Sequence, residues 1–152
     1  MTADWTDDAR SLLDAPSPAV LATYRKDGSA LVTPVWFRFH GGAFEVVIAK
    51  GDVKLAHLAR DPECILVVFE AVPPFRGLEV RGRAELVETD VTPVREAIAG
   101  RYLGSVQGEA FAAERTSKPG ILLRLSAEPR TWSLAPMLPA RLEDAARGRT
   151  GE

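Results

Sequence analysis

Residues 18–49 read PAVLATYRKDGSALVTPVWFRFHGGAFEVVIA, and this stretch decides the fold. Pro18 to Tyr24 is apolar and extended. Arg25-Lys26-Asp27-Gly28 is a turn, because Asp-Gly places at the hairpin tip a residue that accepts positive φ. Ser29 to Phe39 returns as a second strand, His40-Gly41-Gly42 turns the chain again, and Ala43 to Ala49 is a third strand. Three strands joined by two tight turns form an antiparallel meander. That arrangement disfavours a doubly wound parallel sheet.

Upstream, Asp7 to Ala15 reads as a short helix with Leu12 and Leu13 facing the core and Pro16 ending it. Downstream, Asp52 is placed as the N-cap of a helix over Val53 to Arg60, closed by Asp61-Pro62. Cys64 to Phe69 is nearly continuous apolar sequence and reads as a strand buried on both faces. Pro73-Pro74 makes Ala71 to Arg76 a loop. Gly77 to Glu88 alternates apolar and charged residues, as a strand with one wet face does. Thr92-Pro93 opens a helix whose apolar side is marked by Ile98 and Leu103, and a second helix is expected over Gly108 to Arg115. Ile121 to Leu125 and Thr131 to Leu134 complete a last long strand, bent near Pro129.

The expected fold class is therefore mainly β (α+β), a six-stranded antiparallel split β-barrel with flanking helices. It is expected as a single domain over residues 1–152, with an N-terminal helix within 1–15 and a polar tail over 140–152.

Composition bounds the function. The chain has 152 residues, a formal net charge of -2, 46% hydrophobic and 26% charged residues. These are the values of a soluble globular domain. The near-neutral balance argues against duplex DNA, which selects a basic excess. A single cysteine, Cys64, rules out an internal disulfide and a cysteine-rich zinc site. The chain contains no asparagine and hence no N-glycosylation acceptor. The N-terminal MTADWTDDAR is acidic where a signal peptide is basic, and no apolar run approaches the ~20 residues of a membrane helix. A cytoplasmic protein with neither membrane nor nucleic-acid partners is expected.

A search for catalytic constellations finds none. His40 sits in a turn and His57 on a helix, and neither has a metal-ligand partner at a useful spacing. Cys64 opens an apolar strand and reads as structural. Glu79 and Glu85 belong to an alternating strand, where Arg81 and Arg83 pair with them. Trp132 reads as a packing residue. No nucleophile elbow, phosphate loop or dinucleotide fingerprint is present. The one promising region joins strand two, with Thr33-Pro34-Val35-Trp36, to the end of strand three, Ile48-Ala49-Lys50, and the helix start Gly51-Asp52-Val53-Lys54. Free amides and the helix dipole favour an anion there, and Lys50 and Lys54 add positive charge. An apolar strand surface beside an anion pocket suits a phosphorylated planar cofactor.

From Pro18 to Trp132 the order of features resembles the pyridoxamine 5'-phosphate oxidase-like superfamily of split barrels, and within it the small flavin- or deazaflavin-dependent oxidoreductases. Ala19-Val20-Leu21-Ala22-Thr23, Asp27-Gly28 and Val32 to Phe37 carry the resemblance. It continues through Ala49 to Lys54, Leu58 to Pro62, Glu79 to Leu86 and Arg130-Thr131-Trp132. The resemblance implies a homodimer with two cofactor sites at its interface and a small-molecule substrate. It implies a flavin-type ring along Thr33, Pro34, Val35 and Trp36 and along Ile48 and Ala49. It implies a phosphate held by Lys50 and Lys54 beside Gly51, and a loop carrying Phe75 and Arg76 that reaches the site from the partner subunit. The chemistry implied is hydride transfer between F420, or alternatively FMN, and a small organic acceptor. The alternative is a non-catalytic flavin-, F420- or haem-binding protein on the same fold. The chain departs from the family pattern at two places. Asp52-Val53-Lys54 stands where members often have Ser-Arg-Lys, and Ala56 stands where a basic residue is common. Two positive charges are missing and one carboxylate is added. Lys118 and Arg76 are the candidates to compensate.

Overall fold

The structure, a computed structural model, describes residues 7–139. The expected polar tail over 140–152 lies outside the described residues. Four α-helices and nine strands follow in order: α1 (Asp7–Asp14), β1 (Ala19–Tyr24), β2 (Ala30–Val35), β3 (Arg38–His40), β4 (Ala43–Ala49), α2 (Val53–Arg60), β5 (Glu63–Phe69), β6 (Gly77–Arg83), β7 (Glu85–Val87), α3 (Thr92–Leu103), α4 (Ser105–Ala113), β8 (Gly120–Leu125) and β9 (Pro129–Trp132).

All strand pairings are antiparallel. One sheet has the order β2-β1-β5-β6-β9 and the other β3-β4-β8-β7. The six expected strands become nine because three of them break once. Each break is the point at which the chain passes from one sheet to the other. Ser29 to Phe39 splits into β2 and β3 at Trp36-Phe37, Gly77 to Glu88 into β6 and β7 at Ala84, and the last strand into β8 and β9 across residues 126–128. A strand that serves two packed sheets has to turn a corner, and it loses its ladder there. The result is a split barrel of two sheets, not a closed one.

The core lies between the sheets. Leu21, Leu66, Val68, Leu78 and Val80 come from the first sheet, and Phe44, Val46, Ile48, Leu123 and Leu125 from the second. Phe37, at a corner, is fully buried and packs on Phe44 with ring centroids 5.9 Å apart. The α1 helix closes one end through Ala9, Leu12 and Leu13, as its two leucines predict. At the other edge the ring of Trp132 covers Gly77, and a Cβ at position 77 would overlap that ring. Trp132 is thus a packing residue, as expected.

Four local expectations are corrected. The β5 strand is buried on one face only: Cys64, Leu66 and Val68 are buried, while Ile65, Val67 and Phe69 are partly exposed. Leu103 is 41% exposed, because the buried side of α3 is Arg95, Ile98 and Ala99. The α4 helix starts at Ser105, three residues before the expected Gly108, because Gly104 at φ 85 turns the chain sharply and opens it. On the wet strand, Arg81 pairs with Glu79 as expected, but Arg83 reaches across to Glu63 and not to Glu85. No helix among the described residues is long and apolar enough to cross a membrane.

Candidate functional site

Where β2 leaves the first sheet, β4 continues in the second, and the two strands diverge. A cavity of about 700 Å³ fills the gap. Its strand walls are Pro34, Val35 and Trp36 from the β2 end and Val46 to Ala49 from β4. The start of α2 adds Asp52 and Lys54. The α3 and α4 helices and the segment after them add Arg95, Ile98, Phe111, Arg115 and Lys118. That volume lies within the roughly 300–1,000 Å³ range of small-molecule and cofactor sites.

The helix wall is held by close packing. At the α3–α4 crossing a Cβ on Gly108 would come within 2.5 Å of the Gly100 backbone, so only glycine permits this approach. The crossing sets Phe111 over the strands. Trp36, 38% exposed, stacks on Tyr102 of α3 with centroids 5.1 Å apart and planes 8° from parallel, and its ring lies 5.3 Å from Phe111. Tyr102 is itself fixed: its hydroxyl donates to the Ser17 carbonyl at 3.0 Å and accepts from the Phe37 amide at 3.4 Å. Aromatic pairs of this kind contribute about 0.5–1.5 kcal/mol beyond area burial, so the Trp36 ring is positioned before any ligand arrives.

The electrostatics differ from those expected at the α2 start. Asp52 is the N-cap, as its sequence position predicts, and its Oδ1 accepts from the Lys54 amide at 2.9 Å. Its other oxygen accepts from Lys54 Nζ at 3.1 Å. Burial opposes ionisation of Asp52, but the Lys54 hydrogen bonds and charge outweigh it and hold the carboxyl below its ordinary value. The helix amide and the lysine that were expected to meet a phosphate already share a carboxylate.

Positive charge instead accumulates on the helix wall. Arg95 is 8% exposed, and its Nη1 donates to the carbonyls of Arg115 and Lys118, both at 3.0 Å. Burial first, and the nearby Arg115 charge second, push the Arg95 guanidinium down from its usual value, although it stays protonated. The Arg115 guanidinium carbon lies over Phe111, 3.6 Å from the ring centroid. Four cations and one carboxylate line the cavity.

Of the residues expected at the site, Pro34, Val35, Trp36, Ile48, Ala49 and Lys54 meet in this cavity. Thr33 does not line it. It pairs in register with core residue Leu21, and its Oγ1 is buried without a hydrogen-bond partner. Lys50 lies outside, with Nζ 3.9 Å from Glu88. Gly51, at φ 92, makes the turn into α2. Phe75 and Arg76 sit elsewhere in the chain. The Arg76 amide and guanidinium bond Glu70 at 2.9 Å, and Arg76 borders a smaller cavity under α1. His57 is buried and bonded to the Thr23 hydroxyl at 3.0 Å, so it is a helix-face residue turned inward. Cys64 is buried, and burial, then the Glu63 carboxylate, push its thiol up to about 11. Among the described residues no group of three or more His, Cys, Asp or Glu side chains could hold a metal.

The sequence reading missed Arg95, Ile98, Phe111 and Arg115. A signal for Arg95 exists: Val91, Arg95 and Ile98 fall on one helical stripe, and a charge within an apolar stripe is conspicuous.

The sequence matches the family described as pyridoxamine 5'-phosphate oxidase over residues 5–129. No curated protein matches it. Several solved structures share the fold. The conserved hypothetical protein Rv2991 from Mycobacterium tuberculosis is 20% identical with a TM-score of 0.72, covering 91% of each chain. An F420 reductase is 24% identical with a TM-score of 0.60, over 81% of this chain and 94% of that one. HutZ, the haem storage protein from Vibrio cholerae, is 17% identical with a TM-score of 0.62, over 88% and 95%.

Proposed function

Since the chain belongs to the pyridoxamine 5'-phosphate oxidase family, we propose that it is an oxidoreductase moving a hydride between F420, or alternatively FMN, and a small organic acceptor. The observation that carries this reading is the cavity itself: an apolar strand wall, a pre-stacked Trp36 and a cationic helix wall in about 700 Å³. These residues fit a planar ring with an anionic substituent. When bound, such a ring supplies the hydride chemistry, and no protein nucleophile is required. The chain binds and orients. Ile48, Ala49 and Trp36 would hold the ring, and Lys54 would add an ammonium group at the α2 start. The similarity to an F420 reductase favours F420 over FMN.

The working unit is a homodimer. The outward face of the first sheet is apolar across three strands: Val32 and Pro34 of β2 lie opposite Ala22 and Val20 of β1, which lie opposite Ile65 and Val67 of β5. Val32 is 58% exposed. A second copy would cover this face, and the loop carrying Phe75 and Arg76 would reach its cavity.

A non-catalytic carrier is the second reading, and the likeness to a haem storage protein raises haem. Neither the histidines, His40 and His57, nor Cys64 borders the cavity, which favours a flavin-type ring over haem. The test is an absorption spectrum of the purified protein titrated with F420, FMN and haem, followed by turnover with reduced F420 or FMN and a panel of quinone and nitro acceptors. Ring binding with turnover supports the oxidoreductase. Binding without turnover on any acceptor overturns it in favour of the carrier.

A further inference from the structure

We propose that Arg95, Arg115 and Lys118 form an anion subsite of this cavity, separate from Lys54, that takes a phosphate or carboxylate of the bound molecule. The inference rests on the cavity being the ligand site of the proposed oxidoreductase.

Charge pairing elsewhere in the chain provides the contrast. Arg38 and Arg124 clamp the buried Glu45 at 2.7 and 3.0 Å, and Arg76 has Glu70. Arg95 is more buried than these arginines and has no carboxylate among the described residues. Its hydrogen bonds go to two backbone carbonyls through one nitrogen, Nη1. Those bonds fix the plane of the guanidinium. They leave Nε and Nη2 with no described partner, on a residue that borders the cavity.

The fork has room because position 120 is glycine. A Cβ on Gly120 would stand 3.0 Å from Arg95 Nη2 and 3.0 Å from the Val91 side chain. Lys118 makes no ion pair with any described residue. Among carboxylates Arg115 has only the exposed Glu114, at 3.8 Å, and its Nη1 donates to the Phe111 carbonyl at 3.2 Å. The one carboxylate in the cavity, Asp52, is committed to the helix cap and to Lys54. The uncompensated charge is thus on the helix wall, and a planar guanidinium with free nitrogens suits a carboxylate or phosphate by paired hydrogen bonds. This cluster replaces the basic residues absent at Val53 and Ala56.

The test uses the full chain and two kinds of probe. Thermal shift with inorganic phosphate and with glutarate reads the anion alone and separates phosphate from carboxylate. Fluorescence titration with FMN and riboflavin, which share a ring and differ in the phosphate, reads the anion in context. Wild type, Arg95→Met, Arg95→Lys and Lys118→Gln are compared. Lys118 is exposed, so Lys118→Gln keeps the test sharp should Arg95→Met fail to fold. Expected are a stabilising shift by at least one anion in wild type and its loss in Arg95→Met and Lys118→Gln. The FMN-to-riboflavin affinity ratio falls at least tenfold in Arg95→Met, with partial recovery in Arg95→Lys. An unchanged ratio in the variants that fold, while riboflavin still binds, overturns the subsite and leaves the ring reading standing. An Arg95-dependent anion shift in a protein that binds no flavin and no F420 supports the subsite and overturns the ring reading.

Discussion

Asp52 shows how one side chain redirects a site. It caps α2 and holds Lys54 at 3.1 Å, so it competes with any ligand anion for the same amide and ammonium. Asn caps as well as Asp, so Asp52→Asn keeps the helix and removes only the charge. FMN affinity should rise several-fold in that variant and riboflavin affinity should stay the same, by fluorescence titration; a fall in FMN affinity would contradict the competition. Arg95 is the converse case. An ion moved out of water and left unpaired costs several kcal/mol, so a buried guanidinium without a carboxylate persists only where carbonyls or a ligand offset it. Sequence singled out Lys54 and Trp36, which line the candidate cavity, but could not place Arg95 there. Its role depends on a helix crossing 60 residues downstream of β2, and residue type alone does not distinguish a cavity wall from solvent. Cys64 was legible, because an apolar strand buries it. Its thiol stays neutral until about pH 11 in the folded chain against an ordinary value of 9.0. The stability it contributes is therefore complete below pH 9 and declines from there to about 11. Alkylation at pH 8 should proceed only in denaturant, as mass spectrometry would show; rapid labelling of the folded protein would contradict its burial.

At the scale of elements, the hairpin turns were legible and strand periodicity located the strands, but the apolar run of β5 did not reveal that only one of its faces is buried. Gly28, Gly41 and Gly42 all have the positive φ that their turns require. The corners were not. Apolar sequence runs unbroken through Val35-Trp36-Phe37 and alternation persists through Ala84, so the strand signal continues past both corners; the need to close two sheets around one core imposes the break. Helices α3 and α4 were recognised, yet their mutual packing was hidden in two glycines. Gly108 abuts the Gly100 backbone, and Phe111 and Arg115 ride on that contact. Gly108→Val should force the helices apart. It should lower the melting temperature by several degrees, consistent with overpacking costs of about 1–3 kcal/mol. It should also weaken ligand binding beyond the stability loss, measured well below the melting point. Wild-type binding in a folded Gly108→Val protein would show that the helix wall does not form the site.

At the scale of the whole molecule, two sheets split apart leave a gap, and that gap is the candidate site. The same architecture leaves the outer face of the first sheet apolar around Val32 and Ile65, which is the surface proposed for a second copy. Light scattering at micromolar concentration should give twice the 16.5 kDa chain mass, and Val32→Lys should reduce it to the monomer; a monomeric wild type would contradict the dimer. The near-neutral net charge of -2 concealed a local excess of three positive charges in one cavity, since the carboxylates that balance them lie elsewhere. The most direct test of the central claim is equilibrium titration of the purified full chain with F420 and FMN, followed by absorption and by quenching of tryptophan fluorescence. One ring per chain, bound with micromolar or tighter affinity and weakened at least tenfold by Trp36→Ala, is the predicted result. No saturable binding of either ring by the folded protein would contradict it.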